Sequence, residues 1–350
     1  MNFMQMVNFF LGESLLGGKE NLPSVPMWCA IAFFAIGLVL LIKGGDWFVD
    51  GAVGVAKRFR LPDIIVGATV VSIGTTLPEV MVSVTGALGG QGAMAYGNAI
   101  GSIICNTSLI AAISVAVNPG AVNTKTLKMP VIFFFSSAAI YLIAAYVFGT
   151  FYQWIGFVLL AIFAVYMVIT VRQGLKNPDT AHEEAEEAEE EKEKPMWLAL
   201  LLLVGGAAVI AVGSKLLVNH GTSIAQSLGV PETVIALTFV ALGTSLPELV
   251  TTITSLKKGH ASLGIGNVIG ANIFNLVLVS GASVALAPFD VPVGNTIFGI
   301  NSSLVLDLPV MMTVMLLLTV PALLTKKLAR WQGIALLAIY AAFCALQFVL

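Results

Sequence analysis

Two glutamates stand where acids are expensive. Glu79 and Glu248 lie inside long apolar segments, each closing a near-identical hexapeptide: Gly74-Thr75-Thr76-Leu77-Pro78-Glu79 and Gly243-Thr244-Ser245-Leu246-Pro247-Glu248. An ionised carboxylate at membrane depth costs about 2.5–3.5 kcal/mol on insertion scales, so two at matching positions need compensation. Pro78 and Pro247 have no N–H to give the carbonyls of Gly74 and Gly243, four residues back. Carbonyl oxygens freed at that depth are tolerated where they line a cavity or meet a ligand. Thr75 and Thr76, and Thr244 and Ser245, add hydroxyls on the face of each glutamate. Asn98, Ser102 and Asn106 recur every four residues on one helix face, and Gly97 and Gly101 at the same spacing allow close backbone approach. Asn267, Ala271 and Asn275 repeat that face with one hydroxyl missing.

The donors are carboxylate, carbonyl, hydroxyl and amide, all hard oxygen. Such a set suits Ca²⁺, which takes roughly 6 to 8 oxygens at about 2.3–2.6 Å, and it also suits Na⁺. No Cys or His accompanies the acids, which disfavours soft metals. Two carboxylates balance one divalent cation or hold several monovalent ones, and competition between those loads is the physical basis of exchange.

Elements that position these residues must cross a bilayer. The 350 residues are 58% hydrophobic and 10% charged, with mean hydropathy +0.95; soluble chains carry about a quarter charged residues. Soluble enzymes and nucleic-acid binders are thereby excluded. Nine of the nineteen acids fall between Asp179 and Glu193. Apolar runs then mark ten spans, at 27–56, 63–88, 93–117, 129–148, 152–171, 196–226, 231–256, 261–284, 307–325 and 331–350. Fourteen of the seventeen Lys and Arg follow odd-numbered spans, from Lys57, Arg58 and Arg60 to Lys326, Lys327 and Arg330. Since cytoplasmic loops hold the basic excess, both termini are expected outside. The expected organisation is a leader (1–26) on the extracellular side, a five-helix unit (27–173), an acidic cytoplasmic loop (174–195) and a second five-helix unit (196–350). Residues 1–25 lack the basic start and apolar run of a cleavable signal. Cys29, Cys105 and Cys344 read as buried, inert thiols, Asp307 as a helix start, and the acidic loop with His182 as a solvated linker. Asp46 aligns with Lys215, with Lys43 and Asp50 close by, and ion pairing or snorkelling is expected there.

The two units are copies. Residues 44–106 align with 213–275 at a constant offset of 169, and sixteen of the forty-five positions from 62 to 106 are identical. Five spans per copy is odd, so the second copy enters the membrane from the opposite side. Inverted repeats of this kind favour a transporter with its site near the midplane, where the copies meet. The fold class expected is an all-α integral membrane protein of ten transmembrane helices in two inverted-topology five-helix repeats.

These motifs resemble the sodium/calcium exchangers of the cation/calcium exchanger superfamily. The likeness rests on GTTLPE with GNAIGSIICN, and on GTSLPE with GNVIGANIFN, over about residues 62–110 and 231–280. It implies a multi-pass antiporter of the cell membrane that exchanges Na⁺ for Ca²⁺ by alternating access, exports Ca²⁺, and slides spans 1 and 6 across the bundle. It also implies that Glu79 and Glu248 are shared by both ions, assisted by Ser72, Thr75, Thr76, Ser102, Asn106, Ala241, Thr244, Ser245 and Asn275, with Ser72 and Ala241 acting through main-chain oxygen. The substrates are then Ca²⁺ and Na⁺ and the surroundings a lipid bilayer, with no cofactor, no covalent catalysis and no obligatory protein partner. Asn275 stands where potassium-dependent members have Asp, which argues against K⁺ co-transport. Ala271 removes an oxygen from an implied Na⁺ site. Ca²⁺/H⁺ antiport is the rival reading, since buried carboxylates can bind protons instead; a cation channel or an intramembrane hydrolase fits less well.

Overall fold

The structure is a computed structural model, and it describes residues 26–59, 63–122, 124–176, 195–227, 241–293, 296–297 and 299–349. The first half contributes α1 (Met27–Phe59), α2 (Gly67–Leu88, preceded by the turn Asp63–Val66), α3 (Gly92–Val117), α4 (Leu127–Phe148) and α5 (Gln153–Lys176). The second contributes α6 (Met196–Ser227), α7 (Leu246–Lys257), α8 (Ala261–Leu286), α9 (Ser303–Thr325) and α10 (Arg330–Val349). Eight of the described helices are long and apolar enough to cross a membrane; α7 and α10 occupy the places expected for spans 7 and 10. The outer half of expected span 7 falls partly on 228–240, and the leader and most of the acidic loop fall on 1–25 and 177–194, all outside the described residues.

The helix surfaces are those of a protein solvated by hydrocarbon. Leu324, Val147 and Val204 are 78%, 70% and 67% exposed, a pattern of outward apolar side chains that water would not tolerate over so large an area. Trp28, Trp154, Trp197 and Trp331 are also exposed and sit at the first turns of α1, α5, α6 and α10. Tryptophan collects at membrane–water boundaries because one end of the ring is apolar and the other donates a hydrogen bond. Cys105 is buried as expected, whereas Cys29 and Cys344 are partly exposed; all three are free.

α1 and α6 are repeat mates and pack as a pair on glycine. A Cβ on Gly206 would lie 2.5 Å from the Phe48 nitrogen and 2.9 Å from the Gly44 oxygen, and one on Gly213 would lie 2.9 Å from the Gly37 oxygen. Gly37 and Gly44 are the repeat mates of Gly206 and Gly213, so the seam is self-complementary. Backbones in such contact gain dispersion along their whole crossing, the main attraction available between apolar helices in lipid. From this pair, Phe48 reaches the bundle at Gly74, and Gly45 meets Val250 and Thr254 of α7.

The remaining helices form a second core around Phe134, Tyr141, Phe151, Tyr166 and Phe274. Two short antiparallel staples close it. Gly120 and Ala121, after α3, pair with Leu328 and Lys327, between α9 and α10. Thr150 and Phe151, between α4 and α5, pair with Asp290 and Phe289, after α8. Each staple thus joins a loop of one half to a loop of the other, in repeat-related fashion. Gly149, at φ +65°, ends α4 and turns the chain into its staple, a left-handed stop that glycine adopts without strain.

Candidate functional site

The polar residues singled out in the sequence converge where α2, α3, α7 and α8 meet. Ser72, Thr76, Glu79, Asn106, Glu248, Asn267 and Asn275 are wholly buried, and Thr75, Ser102 and Ser245 nearly so. Glu79 and Glu248 lie within electrostatic reach of each other. Thr75 and Thr76, from the first half, border the Glu248 carboxylate of the second. Thr244 is half-buried at the end of the helical turn Ala241–Thr244. Ala241 opens that turn, so its main chain is placed but its side chain lies outside the described set.

Local breaks in the helices aim these groups inward. In α3 the backbone widens to a π-helical turn at Asn106–Ala111, and in α8 at Asn275–Val279. The two π turns begin at repeat-related asparagines, and such bulges relax the ladder and re-aim side chains at functional sites. A third, Gly67–Val71, precedes Ser72 in α2. The two prolines act differently from each other. α2 runs on through Pro78, whereas the second half is interrupted at Ser245 (φ −90°, ψ 4°) and α7 starts afresh with Pro247 in its first turn. Proline is favoured there because first-turn N–H groups have no partner within the helix. The expected freeing of backbone by proline is therefore a full break in one half and a continuous helix in the other.

Two repeat-related hydrogen bonds lock the halves together. Thr75 Oγ1 donates to Asn267 Oδ1 at 3.2 Å, and its mate Thr244 Oγ1 donates to Asn98 Oδ1 at 3.3 Å. Asn98 Nδ2 also donates to the Glu79 carbonyl at 3.2 Å and to Ser83 Oγ at 2.8 Å. Ser72 Oγ lies 2.7 Å from the Gly67 oxygen and 2.9 Å from the Asn267 oxygen. Asn98 and Asn267 thus frame the site as inter-helix ties. Among the described residues nothing lies within 4 Å of a Cβ at Gly97 or Gly101, and the repeat mate of the wide turn in α2 falls on 236–240, outside those residues. Their second-half counterpart behaves as expected, since a Cβ on Gly270 would be 2.6 Å from Ala68 Cα. The wide turn of α2 covers the α8 face there.

Inside this frame the polar atoms are left over. Thr76 Oγ1, both carboxylate oxygens of Glu79 and of Glu248, Ser245 Oγ, and the amide groups of Asn106 and Asn275 are buried without a hydrogen-bond partner among the described residues. Leaving such an atom unsatisfied costs about 1–3 kcal/mol, more for a charge, so a cluster this dense calls for compensation. The donors on offer are two carboxylates and neutral oxygens. Among the described residues no cluster of three His, Cys, Asp or Glu exists to favour a softer metal.

The sequence profile described as sodium/calcium exchanger protein matches residues 29–172 and again residues 198–349, one match for each half. The chain belongs to the sodium/calcium exchanger family. This exchanger is similar to an uncharacterized membrane protein of Methanocaldococcus jannaschii, 34% identical over 318 residues that cover 89% of this chain and 95% of that protein. It is also similar to the sodium/calcium exchanger MaX1 of Methanosarcina acetivorans, 30% identical with 89% of this chain and 97% of that protein covered. Among solved structures, the sodium-calcium exchanger NCX_Mj soaked with Na⁺ and Sr²⁺ superposes with a TM-score of 0.76 at 31% identity, over 91% of this chain and 99% of that one. The exchanger is a multi-pass membrane protein of a transporter family.

Several contributors carried weak signals in the sequence or none. The π turns shift the hydrogen-bond register by one residue without changing composition. Ser83, which shares Asn98, is one more small polar residue in an apolar helix. The ion pairing expected at Asp46 and Asp50 is present and includes Lys258, just past the end of α7, a partner remote in sequence.

Proposed function

We propose that this exchanger moves Ca²⁺ against Na⁺ by alternating access, with Glu79 and Glu248 as the charged ligands of both ions. Two repeat-related, fully buried carboxylates without partners, ringed by unpartnered hydroxyl and amide groups from both halves, carry this reading. Ca²⁺ needs two charges and many oxygens at once. The pair supplies the charges, while Thr75, Thr76, Ser102, Asn106, Thr244, Ser245, Asn275 and the main-chain oxygens of Ser72 and Ala241 supply oxygens within the same chamber. Several Na⁺ ions sharing those acids displace Ca²⁺ by mass action. Ala271, buried where the first half has Ser102, leaves one fewer oxygen on the α8 side. No resident cofactor, covalent catalysis or protein partner enters this scheme.

The basic excess after odd-numbered spans supports an orientation with both termini outside and the acidic segment inside the cell, in which the ordinary inward Na⁺ gradient exports Ca²⁺. Proteoliposomes with an imposed Na⁺ gradient are expected to accumulate Ca²⁺. Uptake that responds to a pH gradient alone would replace Na⁺ by H⁺ as the counter-ion, and Ca²⁺ leak without any counter-ion would indicate a channel.

A further inference from the structure

Ser245 and Glu248 are the first two members of a longer row. Ser245, Glu248, Thr252 and Ser255 share about 80° of arc on α7 at 100° per residue. All four are buried, and each carries a side-chain oxygen without a partner among the described residues: Ser245 Oγ, both Glu248 oxygens, Thr252 Oγ1 and Ser255 Oγ. Thr251, on the flank, returns its hydroxyl to the Pro247 carbonyl at 2.7 Å. Satisfied and unsatisfied hydroxyls therefore divide by face. At about 1.5 Å per residue the row runs about 10 Å from Glu248 toward the basic end of α7. It is sealed on one side by α8, where a Cβ on Gly264 would sit 3.3 Å from Thr252 Cγ2. On the other side is α1, through Gly45 against Val250 and Thr254.

At the end of the row an ion pair crosses from α7 to α1. Lys258 Nζ lies 2.5 Å from Asp50 Oδ1 and 3.8 Å from Asp46 Oδ1, and donates to the Asp46 carbonyl at 3.0 Å. The repeat did not copy this arrangement. At the offset of 169, Lys258 corresponds to Gly89, Asp46 to Lys215, Asp50 to Asn219 and Ser255 to Gly86. The mate of Thr252 is Ser83, whose hydroxyl is already taken by Asn98.

We propose that Thr252 and Ser255 line the half of the ion path that opens at the basic end of α7, and that Lys258 with Asp46 and Asp50 is the latch holding α1 across its mouth. The proposal rests on the exchange reading above, since a path needs a transported ion. It makes the Lys258 side of the path one that is held shut by charge.

The test uses Thr252→Cys and Ser255→Cys in the full chain in sealed vesicles of either orientation, with a charged, membrane-impermeant methanethiosulfonate as probe and the three native cysteines as background. Labelling is expected from the Lys258 side. Adding Lys258→Gln or Asp50→Asn should speed it about two- to fivefold, the range that loss of a partly exposed ion pair allows. The exchanged pair Lys258→Asp with Asp50→Lys should return the rate toward its starting value. Labelling from the opposite side, or a rate indifferent to all three latch variants in monodisperse protein, overturns the proposal. Wild-type Na⁺-driven Ca²⁺ uptake is measured in the same vesicles. Uptake present with labelling indifferent to the latch sinks the path alone, whereas uptake absent sinks the exchange reading.

Discussion

Gly205 and Gly206 are neighbours on α6 with opposite surroundings, and alanine at each should part them. A Cβ on Gly205 meets nothing within 4 Å, whereas one on Gly206 would sit 2.5 Å from the Phe48 nitrogen, 2.7 Å from Phe48 Cα and 2.9 Å from the Gly44 oxygen. Ordinary contact begins at 3.4 Å, so α1 has to retreat by about 1 Å, and the atoms resisting are backbone. Overpacking of this kind costs typically about 1–3 kcal/mol. Against that, alanine gains up to about 1 kcal/mol of helix propensity over glycine, and it does so at both sites. Gly205→Ala is therefore expected to be neutral or slightly stabilising, and Gly206→Ala to lie below it by about 1–3 kcal/mol, a net loss of about 0–2 kcal/mol against the wild type. Displacing α1 also disturbs Phe48 against Gly74, at the start of the GTTLPE segment. Na⁺-driven Ca²⁺ uptake should fall in Gly206→Ala although no ion ligand has changed. Thermal unfolding in detergent and vesicle uptake are read on both variants. Equal behaviour of the two would refute the claim that the α1–α6 seam is set by backbone contact at the glycines.

Glu79→Gln and Glu248→Gln should each abolish exchange while leaving membrane insertion intact; wild-type uptake in either removes that acid from the site. Ca²⁺ should raise the melting temperature of the wild type, by about 2.7 kcal/mol of stability at a hundredfold excess over Kd, and should fail to do so in Glu79→Gln. Double-mutant cycles on Thr75 with Asn267 and on Thr244 with Asn98, using Val and Ala, should each show a coupling of about 0.5–1.5 kcal/mol in unfolding, and zero coupling in both would remove these bonds as ties between the halves.

How much was legible in the sequence follows from what each feature costs. An acid inside an apolar run is so unfavourable that its mere presence is a signal, and Glu79 and Glu248 repeated at one offset could hardly be structural accidents. The asparagine ladders were legible for the same reason. The α1–α6 seam was legible in principle, because Gly37 and Gly44 recur as Gly206 and Gly213. That meaning appears only once the two helices are seen to touch. The π turns at Asn106 and Asn275 left no trace, since they change which carbonyl meets which N–H and nothing else. Lys258 was assigned to a loop by its charge, and its reach to Asp50 depends on a tertiary approach of α7 to α1 that no local pattern encodes.

The crossed staples bear on how the chain is assembled during synthesis. Gly120 and Ala121 find their partners only when translation has reached Leu328, and Thr150 and Phe151 only when it has reached Asp290. The first five helices can therefore enter the bilayer, but their connecting segments remain unpaired strand edges until the second half arrives. The polypeptide matures in the manner of two subunits that exchange arms, and a separately expressed half would present those open edges to any copy of itself.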